Sequence, residues 1–197
     1  FEVEPSISAP ESDLPVVRNS VRVRRCLGTL MLEERIDLVV THSDFGLAAA
    51  ALTTARSLEL PTIHTVHGSA PVRGRTAAAM APLARHAHRV VTGIRPTRHR
   101  FTGHPMDDAR RNMAVAVCGA ADVVVTPTTR QARALREAGV GPVHVVPNLH
   151  DVAGTIAPLT PRAGLLFIGG AAHPPNVDAV VWLVTTLFPA VRRQLPD

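Results

Sequence analysis

Short apolar runs alternate along the chain with stretches in which apolar residues recur every three or four positions. Short, mainly apolar segments that stop at a polar or small residue are typical of buried strands, and the wider spacing is typical of helices. The predicted strands are residues 36–40, 62–66, 122–126, 143–146 and 164–168, and the predicted helices are 18–35, 46–58, 107–120, 128–139 and 174–191. Strands that alternate with helices predict an α/β fold, in which a Rossmann-like parallel sheet carries helices on both faces.

The remaining segments are less regular. We expect a loop over residues 1–15, a helix over 76–88, a short strand at Val90 and Val91, and a new helical segment at Pro189. Three prolines and little periodicity mark the segment that follows the fourth strand as a hinge. The predicted domains are a partial amino-terminal domain over 1–150, a hinge over 151–163, and the start of a second domain over 164–197.

Small or polar residues follow each predicted strand. In a parallel sheet the carboxyl ends of the strands meet at one edge, where ligands bind. The sequence therefore predicts a binding crevice at this edge, and its candidate residues are His42, Ser43, His67, Gly68, Thr126, Asn148, Gly169 and Gly170.

Composition narrows the class of protein. Apolar residues make up 46% and charged residues 19%, which is typical of a folded soluble domain, and no apolar run approaches the length of about 20 residues that spans a bilayer. Cys26 and Cys118 stand apart, a pattern that favours a reducing, cytoplasmic compartment. The chain has no initiator Met, so we expect that it begins inside a longer protein.

The net charge is +5, and every basic residue is Arg. Arginines crowd residues 73–111, a pattern that suits phosphates or the anionic headgroups at the inner face of a membrane, and equally a solvated protein surface. Nucleic-acid binding is disfavoured, because only five Phe and one Trp are available to stack on bases.

Several motifs, in this order and spacing, resemble glycosyltransferase family 4, also called group 1, in a branch linked to bacterial polysaccharide and O-antigen assembly. The segments that carry the resemblance are 37–42 (DLVVTH), 60–68 (LPTIHTVHG), 121–127 (ADVVVTP), 143–148 (VHVVPN), 164–170 (GLLFIGG) and 173–179 (HPPNVDA).

The resemblance implies two facing Rossmann-like domains, known as the GT-B architecture. The first domain would hold a glycan or lipid-linked acceptor, and the second would hold a nucleoside-diphosphate sugar, here present only as its first strand and helix. Transfer would retain the anomeric configuration without a metal ion or other cofactor. His67 would lie beside the reacting sugar, His42, Ser43, Gly68, Thr126 and Asn148 would line the acceptor cleft, and Gly169 and Gly170 would approach the donor diphosphate.

Other interpretations stay open. The family often places an Arg and a Lys after the second-domain glycine, whereas Ala171 and Ala172 stand here. We therefore expect this chain alone to be inactive, and a non-catalytic interaction module or a nucleotide-sugar epimerase of the same architecture are alternatives. His42, His64 and His67 could together bind zinc, but no HExxH pattern accompanies them.

Overall fold

The computed structural model describes residues 7–9, 12–67, 74–149, 164–172 and 174–195, with the backbone alone described up to residue 15. The chain divides into two compact units, Phe1–His150 and Asp151–Asp197.

A four-stranded parallel sheet forms the centre of the first unit. Its strands lie in chain order, and each pairs in parallel with the next, through registers such as Val39 with Thr62 and Val124 with Val143. The strands are β3 (Val39–Thr41), β4 (Thr62–Thr65), β5 (Val123–Thr126) and β6 (Val143–Val145). The predicted α/β class with a parallel, Rossmann-like sheet is therefore confirmed.

Helices connect and flank these strands. They are α1 (Val21–Glu33), α2 (Gly46–Ser57), α3 (Arg75–Thr92), α4 (Pro105–Cys118) and α5 (Thr129–Glu137). Two buried clusters cover the sheet: one includes Val115, Val124 and Leu135, and the other is built from Met31, Val39 and Ala55.

Two expectations for the first unit are wrong. Val90 and Val91 are not a strand but the end of α3, because no helix-breaking residue intervenes before Gly93, which ends the helix at a φ of 73°. Part of the predicted amino-terminal loop is an antiparallel pair, β1 (Ile7–Ala9) with β2 (Ser12–Val16). The segment is polar and rich in proline, and Pro15 lies within β2, so its sequence favours a loop over a strand.

A polar clasp joins β4 and β5 at their amino ends. The Asp122 carboxylate accepts hydrogen bonds from the Thr62 amide at 2.9 Å and the Thr62 hydroxyl at 2.7 Å. The Asp122 amide donates in return to the Thr62 hydroxyl at 2.9 Å. Hydrogen bonds from Thr62 lower the pKa of Asp122, so the carboxylate stays ionised at neutral pH.

Cys118 is fully buried in the first cluster. Burial, reinforced by the negative charge of Asp44, raises the pKa of the Cys118 thiol to about 12. The side chain is therefore a small apolar group at neutral pH and not a nucleophile.

The second unit is helical over most of its described length. Helix α6 (Pro174–Trp182) passes through a π-helical turn (Leu183–Leu187) into α7 (Phe188–Gln194). Pro189 lies in the first turn of α7, as expected, and the Phe188 amide donates to the Leu183 carbonyl five residues earlier. The wider turn accommodates the proline, which has no N–H for the ordinary ladder.

The predicted strand at 164–168 is wrong for this structure, because residues 165–170 have no regular conformation. No other strand occurs among the described residues of this unit, so a strand here would have no partner for its backbone groups. The apolar stripe of the helix is consequently exposed, at 36% for Val180, 60% for Val184 and 36% for Leu187. Over the described residues, none of the helices could cross a membrane, since none combines the necessary length and apolar character.

Gly46 at the start of α2 is a close-contact position. A Cβ there would lie 2.1 Å from the Val17 carbonyl oxygen and 2.8 Å from that of Val91. We expect Gly46→Ala to destabilise the fold by about 2 kcal/mol or more, because backbone must move to relieve the overlap. Gly28→Ala in α1 is the matched control, since its Cβ would meet only the Thr54 methyl at 3.5 Å and should be neutral or slightly stabilising. Denaturant unfolding compares the two, and equal stabilities would contradict the close contact.

Candidate functional site

Two histidines meet at the carboxyl edge of the sheet. His42 follows β3, and His67 lies just beyond β4, so the parallel pairing of these strands brings the residues side by side. Their rings stack with centroids 5.6 Å apart, and His67 Nε2 lies 3.4 Å from His42 Nδ1. Both side chains are exposed, so they are open to a ligand at this edge.

A buried histidine fixes the loop between β3 and α2. His64 on β4 has no exposed surface; its Nδ1 lies 2.8 Å from the Thr41 hydroxyl, and its Nε2 lies 3.2 Å from Asp44 Oδ1. An ionised carboxylate can only accept hydrogen bonds, so Nε2 carries a proton and donates to Asp44. In the neutral ring Nδ1 then accepts from Thr41, and the tautomer is set by these two partners.

Helix α3 holds the same loop from another side. His88 Nε2 lies 3.2 Å from the Asp44 carbonyl oxygen, to which it donates. Burial lowers the pKa of His88, although the hydrogen bond to Asp44 and the charge of that residue act in the opposite sense. His88 is therefore neutral at physiological pH, and Asp44 is fixed through both its side chain and its backbone.

A cleft of about 490 Å³ opens beside these residues, between the strand ends and helices α4 and α5. Its volume lies within the usual range for small-molecule sites. Its walls combine apolar, imidazole and cationic side chains, and its lining residues are Asp44, Phe45, Val66, His67, His88, Phe101, Arg110, Arg111, Met113, Ala114, Val115, Arg130, Gln131, Ala134 and Leu135. A smaller cavity of about 250 Å³ lies at the amino edge, around the Thr62–Asp122 clasp.

One wall of the cleft is a loop secured by two buried side chains of α4. Asp108 accepts hydrogen bonds from the amides of Phe101, Thr102 and Gly103 at 2.7–3.1 Å. Asn112 bonds to both the amide and the carbonyl of His99, at 2.6 and 2.7 Å. This loop carries Phe101 into the cleft, where the Arg111 guanidinium carbon lies 5.8 Å from the ring centre.

A sequence profile of the family described as Glycosyltransferase Family 4 matches residues 2–153, which is most of the chain. The chain belongs to glycosyltransferase family 4. Searches of curated proteins and of solved structures found no significant match.

The remaining predicted site residues of this family 4 chain are distributed unevenly. Ser43 is exposed, and its hydroxyl accepts from the Phe45 amide at 3.2 Å. Thr126 is fully buried and donates to Gln131 Oε1 at 2.8 Å, so it supports a cleft residue without lining the cleft. Asn148 is exposed just after β6 and lies outside the described lining, while Gly68 falls outside the described residues.

Gly169 and Gly170 belong to the second unit. The Asn176 side chain donates to the Gly170 carbonyl at 3.1 Å, and a Cβ on Gly169 would lie 3.0 Å from Asn176 and 2.8 Å from the Phe167 ring. Gly169 is therefore needed for local packing, whereas a Cβ on Gly170 would meet open space.

Sequence reasoning missed several residues of this family 4 site. Asp44 directly follows two candidate residues in the loop after β3, and its position there was the available signal. His88 and Phe101 had no such signal, because they come from segments outside the strand-and-loop pattern. In the sequence Arg110 and Arg111 stand out only as part of the basic 73–111 stretch, and Arg130 lies outside that stretch.

Within the described parts of the chain, no group of three or more His, Cys, Asp or Glu is arranged to hold a metal ion. His42 and His67 do contact each other, but both ring nitrogens of His64 are engaged by Thr41 and Asp44. The structure therefore gives no support to a zinc site built from these three histidines.

The anchoring of the 97–104 loop should depend on pH. Burial alone would raise the pKa of Asp108, but the hydrogen bonds from Thr102, Phe101 and Gly103 outweigh it, so the pKa is lowered. The ionised Asp108 side chain stabilises the fold fully at any pH above its unfolded-state pKa of about 3.9. This stabilisation is lost as the pH falls through the lower folded-state pKa.

We expect Asp108→Asn to lower the free energy of unfolding at pH 7 by about 1–3 kcal/mol. The difference from the unmodified chain should begin to shrink below about pH 4, where the unfolded-state carboxyl takes up a proton, and should vanish once the pH has fallen through the lower folded-state pKa of Asp108. Asp37→Asn, which alters an exposed carboxylate, is the control for net charge. Urea unfolding at several pH values makes the comparison, and a constant difference across the pH range would contradict the assignment.

Proposed function

We propose that this protein is the acceptor-side part of a retaining glycosyltransferase of GT-B architecture. It would transfer a sugar, of the hexosyl type, from a nucleoside-diphosphate sugar to a glycan or lipid-linked acceptor. Membership of glycosyltransferase family 4 supports the reaction class. The observation that carries the proposal is the position of His67, which lines the cleft at the carboxyl edge of the sheet.

The cleft supplies groups that suit the hydroxyls of a sugar. His67 offers an imidazole, and the Asp44 carboxylate keeps acceptor capacity beyond the hydrogen bond it receives from His64. Because His64 and His88 hold Asp44 in place, its carboxylate is oriented before substrate arrives. Preorganised polar groups of this kind favour a transition state more than mobile groups do, since little reorganisation accompanies the reaction.

The roles of individual residues follow the resemblance. His67 would contact the reacting sugar, with His42 stacked behind it, and Ser43, Gly68, Thr126 and Asn148 would shape the surrounding edge. Gly169 and Gly170 would approach the donor diphosphate in a second domain that begins after a hinge over 151–163. In this proposal, protein groups stabilise the negative charge of the leaving nucleoside diphosphate. The reaction takes place in the cytoplasm, where the basic 73–111 stretch contacts anionic lipid at the inner face of the membrane.

His67→Ala should reduce sugar transfer by about a hundredfold or more, as is usual when a preorganised hydrogen-bonding group is removed from a transition state. The melting temperature should change little, because His67 is exposed. The measurement is turnover of the full-length protein with a nucleoside-diphosphate sugar, alongside thermal unfolding.

Two further histidine variants sharpen that comparison. His86→Ala removes an exposed imidazole of α3 outside the described cleft lining and should leave turnover unchanged. His64→Ala removes a buried, doubly bonded ring and should lower both the melting temperature and turnover. Unchanged turnover in His67→Ala would remove His67 from the site.

A further inference from the structure

The far wall of the cleft carries a concentration of positive charge. Arg110 and Arg111 on α4 and Arg130 on α5 all line it. The two helices are separate in sequence, so the fold brings these three arginines together at one cavity. The basic stretch that is evident along the chain accounts for only two of them.

Over the described part of the chain, the cavity lining holds less negative charge than Arg111 and Arg130 together supply. Among the residues that the structure describes around the cavity, Asp44 supplies the one carboxylate, and its Oδ1 is already bonded to His64. Arg111 is paired with Asp107 through Nε at 3.1 Å, which leaves its terminal nitrogens as donors. Arg130 is exposed and makes no hydrogen bond or ion pair with any described residue.

Apolar side chains line the same cavity as the arginines. Phe101, Met113 and Leu135 line the same cavity, and the Phe101 ring lies against Arg111. Apolar walls beside these charges reduce their screening by solvent on the side that faces the cavity. Guanidinium groups match the oxygens of phosphate in geometry as well as charge.

We propose that the cleft contains a phosphate subsite, built on Arg111 and Arg130, which selects a phosphorylated acceptor. The phosphate ester lies against the arginines, and the remainder of the acceptor extends along the cleft toward Asp44 and His67. This inference rests on the proposed function and specifies its acceptor. The phosphate belongs either to a soluble sugar phosphate or to a lipid headgroup, and the two sources share the same recognition chemistry.

The test is a binding measurement, so it does not depend on transfer activity. Calorimetric titration of the chain with glucose 6-phosphate is compared with titration with glucose, and co-sedimentation compares vesicles of phosphatidylcholine with and without phosphatidic acid. We expect the probe with a phosphate monoester, which is glucose 6-phosphate or phosphatidic acid, to bind more tightly than its partner without one in at least one of these pairs. Equal behaviour within both pairs, including the absence of binding, would overturn the subsite.

Matched arginine variants separate the subsite from general electrostatic attraction. Arg130→Gln should weaken phosphate binding about tenfold or more, the usual effect of losing a charge-assisted hydrogen bond. Arg133→Gln on the same helix makes the same change in net charge outside the described lining, and should have little effect. Equal losses of phosphate affinity in the two variants would show that the positive surface as a whole attracts the anion, without a specific site. Arg111→Gln should also weaken binding, with its melting temperature measured because Arg111 pairs with Asp107.

Two outcomes distinguish this inference from the proposed function. If uridine diphosphate binds in an Arg130-dependent manner and neither phosphate probe does, the arginines contact the donor and the acceptor subsite is wrong. Suppose instead that the full-length protein glycosylates a neutral acceptor and that the Arg130→Gln variant does so equally well. The proposed glycosyltransferase function would then be supported, and the phosphate subsite would be wrong.

Discussion

The hydrogen bond from His64 to Asp44 determines how the first unit presents its carboxyl edge. It joins the loop after β3 to the next strand, and His88 holds the same loop through the Asp44 backbone. The close approach of Gly46 to the carbonyls of Val17 and Val91 then sets where α2 begins. The imidazoles of His64 and His88 are both buried, so the stable arrangement is the one in which each forms its hydrogen bond to Asp44. The exposed His42 belongs to this anchored loop, and its ring stacks on that of His67 just beyond β4.

Most of the sheet could be predicted because its strands lie in short segments, most of them mainly apolar, with defined ends. The helix after β5 was also marked locally, since Thr128 caps it by accepting from the Gln131 amide at 3.2 Å. The cleft could be predicted only in part. Residues next to strand ends, such as His67, are brought together by parallel pairing, which sequence order implies. Phe101 reaches the same cavity through tertiary packing, which no local pattern encodes, whereas Arg130 lies in the first turn of the helix that follows β5.

The errors have the same origin in physical terms. An apolar run such as 164–168 has strand propensity, but a strand exists only where another backbone can satisfy its hydrogen bonds. Val90 and Val91 are β-branched, yet they continue a helix whose nearest terminator is Gly93. In both cases the structural context of the segment overrode its local preference. The hydrogen bonds of His64 and His88 to Asp44 likewise depend on tertiary contacts, so residue spacing alone could not predict them.

The order of the central strands has a consequence for how the protein is made. Because β3, β4, β5 and β6 lie side by side in the order of synthesis, every new strand adds to an edge that already exists. None of these four described strands has to be inserted between two earlier ones, although β4 and β5 are far apart in the sequence, as the pairing of Ile63 with Val123 shows. The sheet can therefore grow progressively as the chain leaves the ribosome, with its unfinished edge always facing the segment translated next.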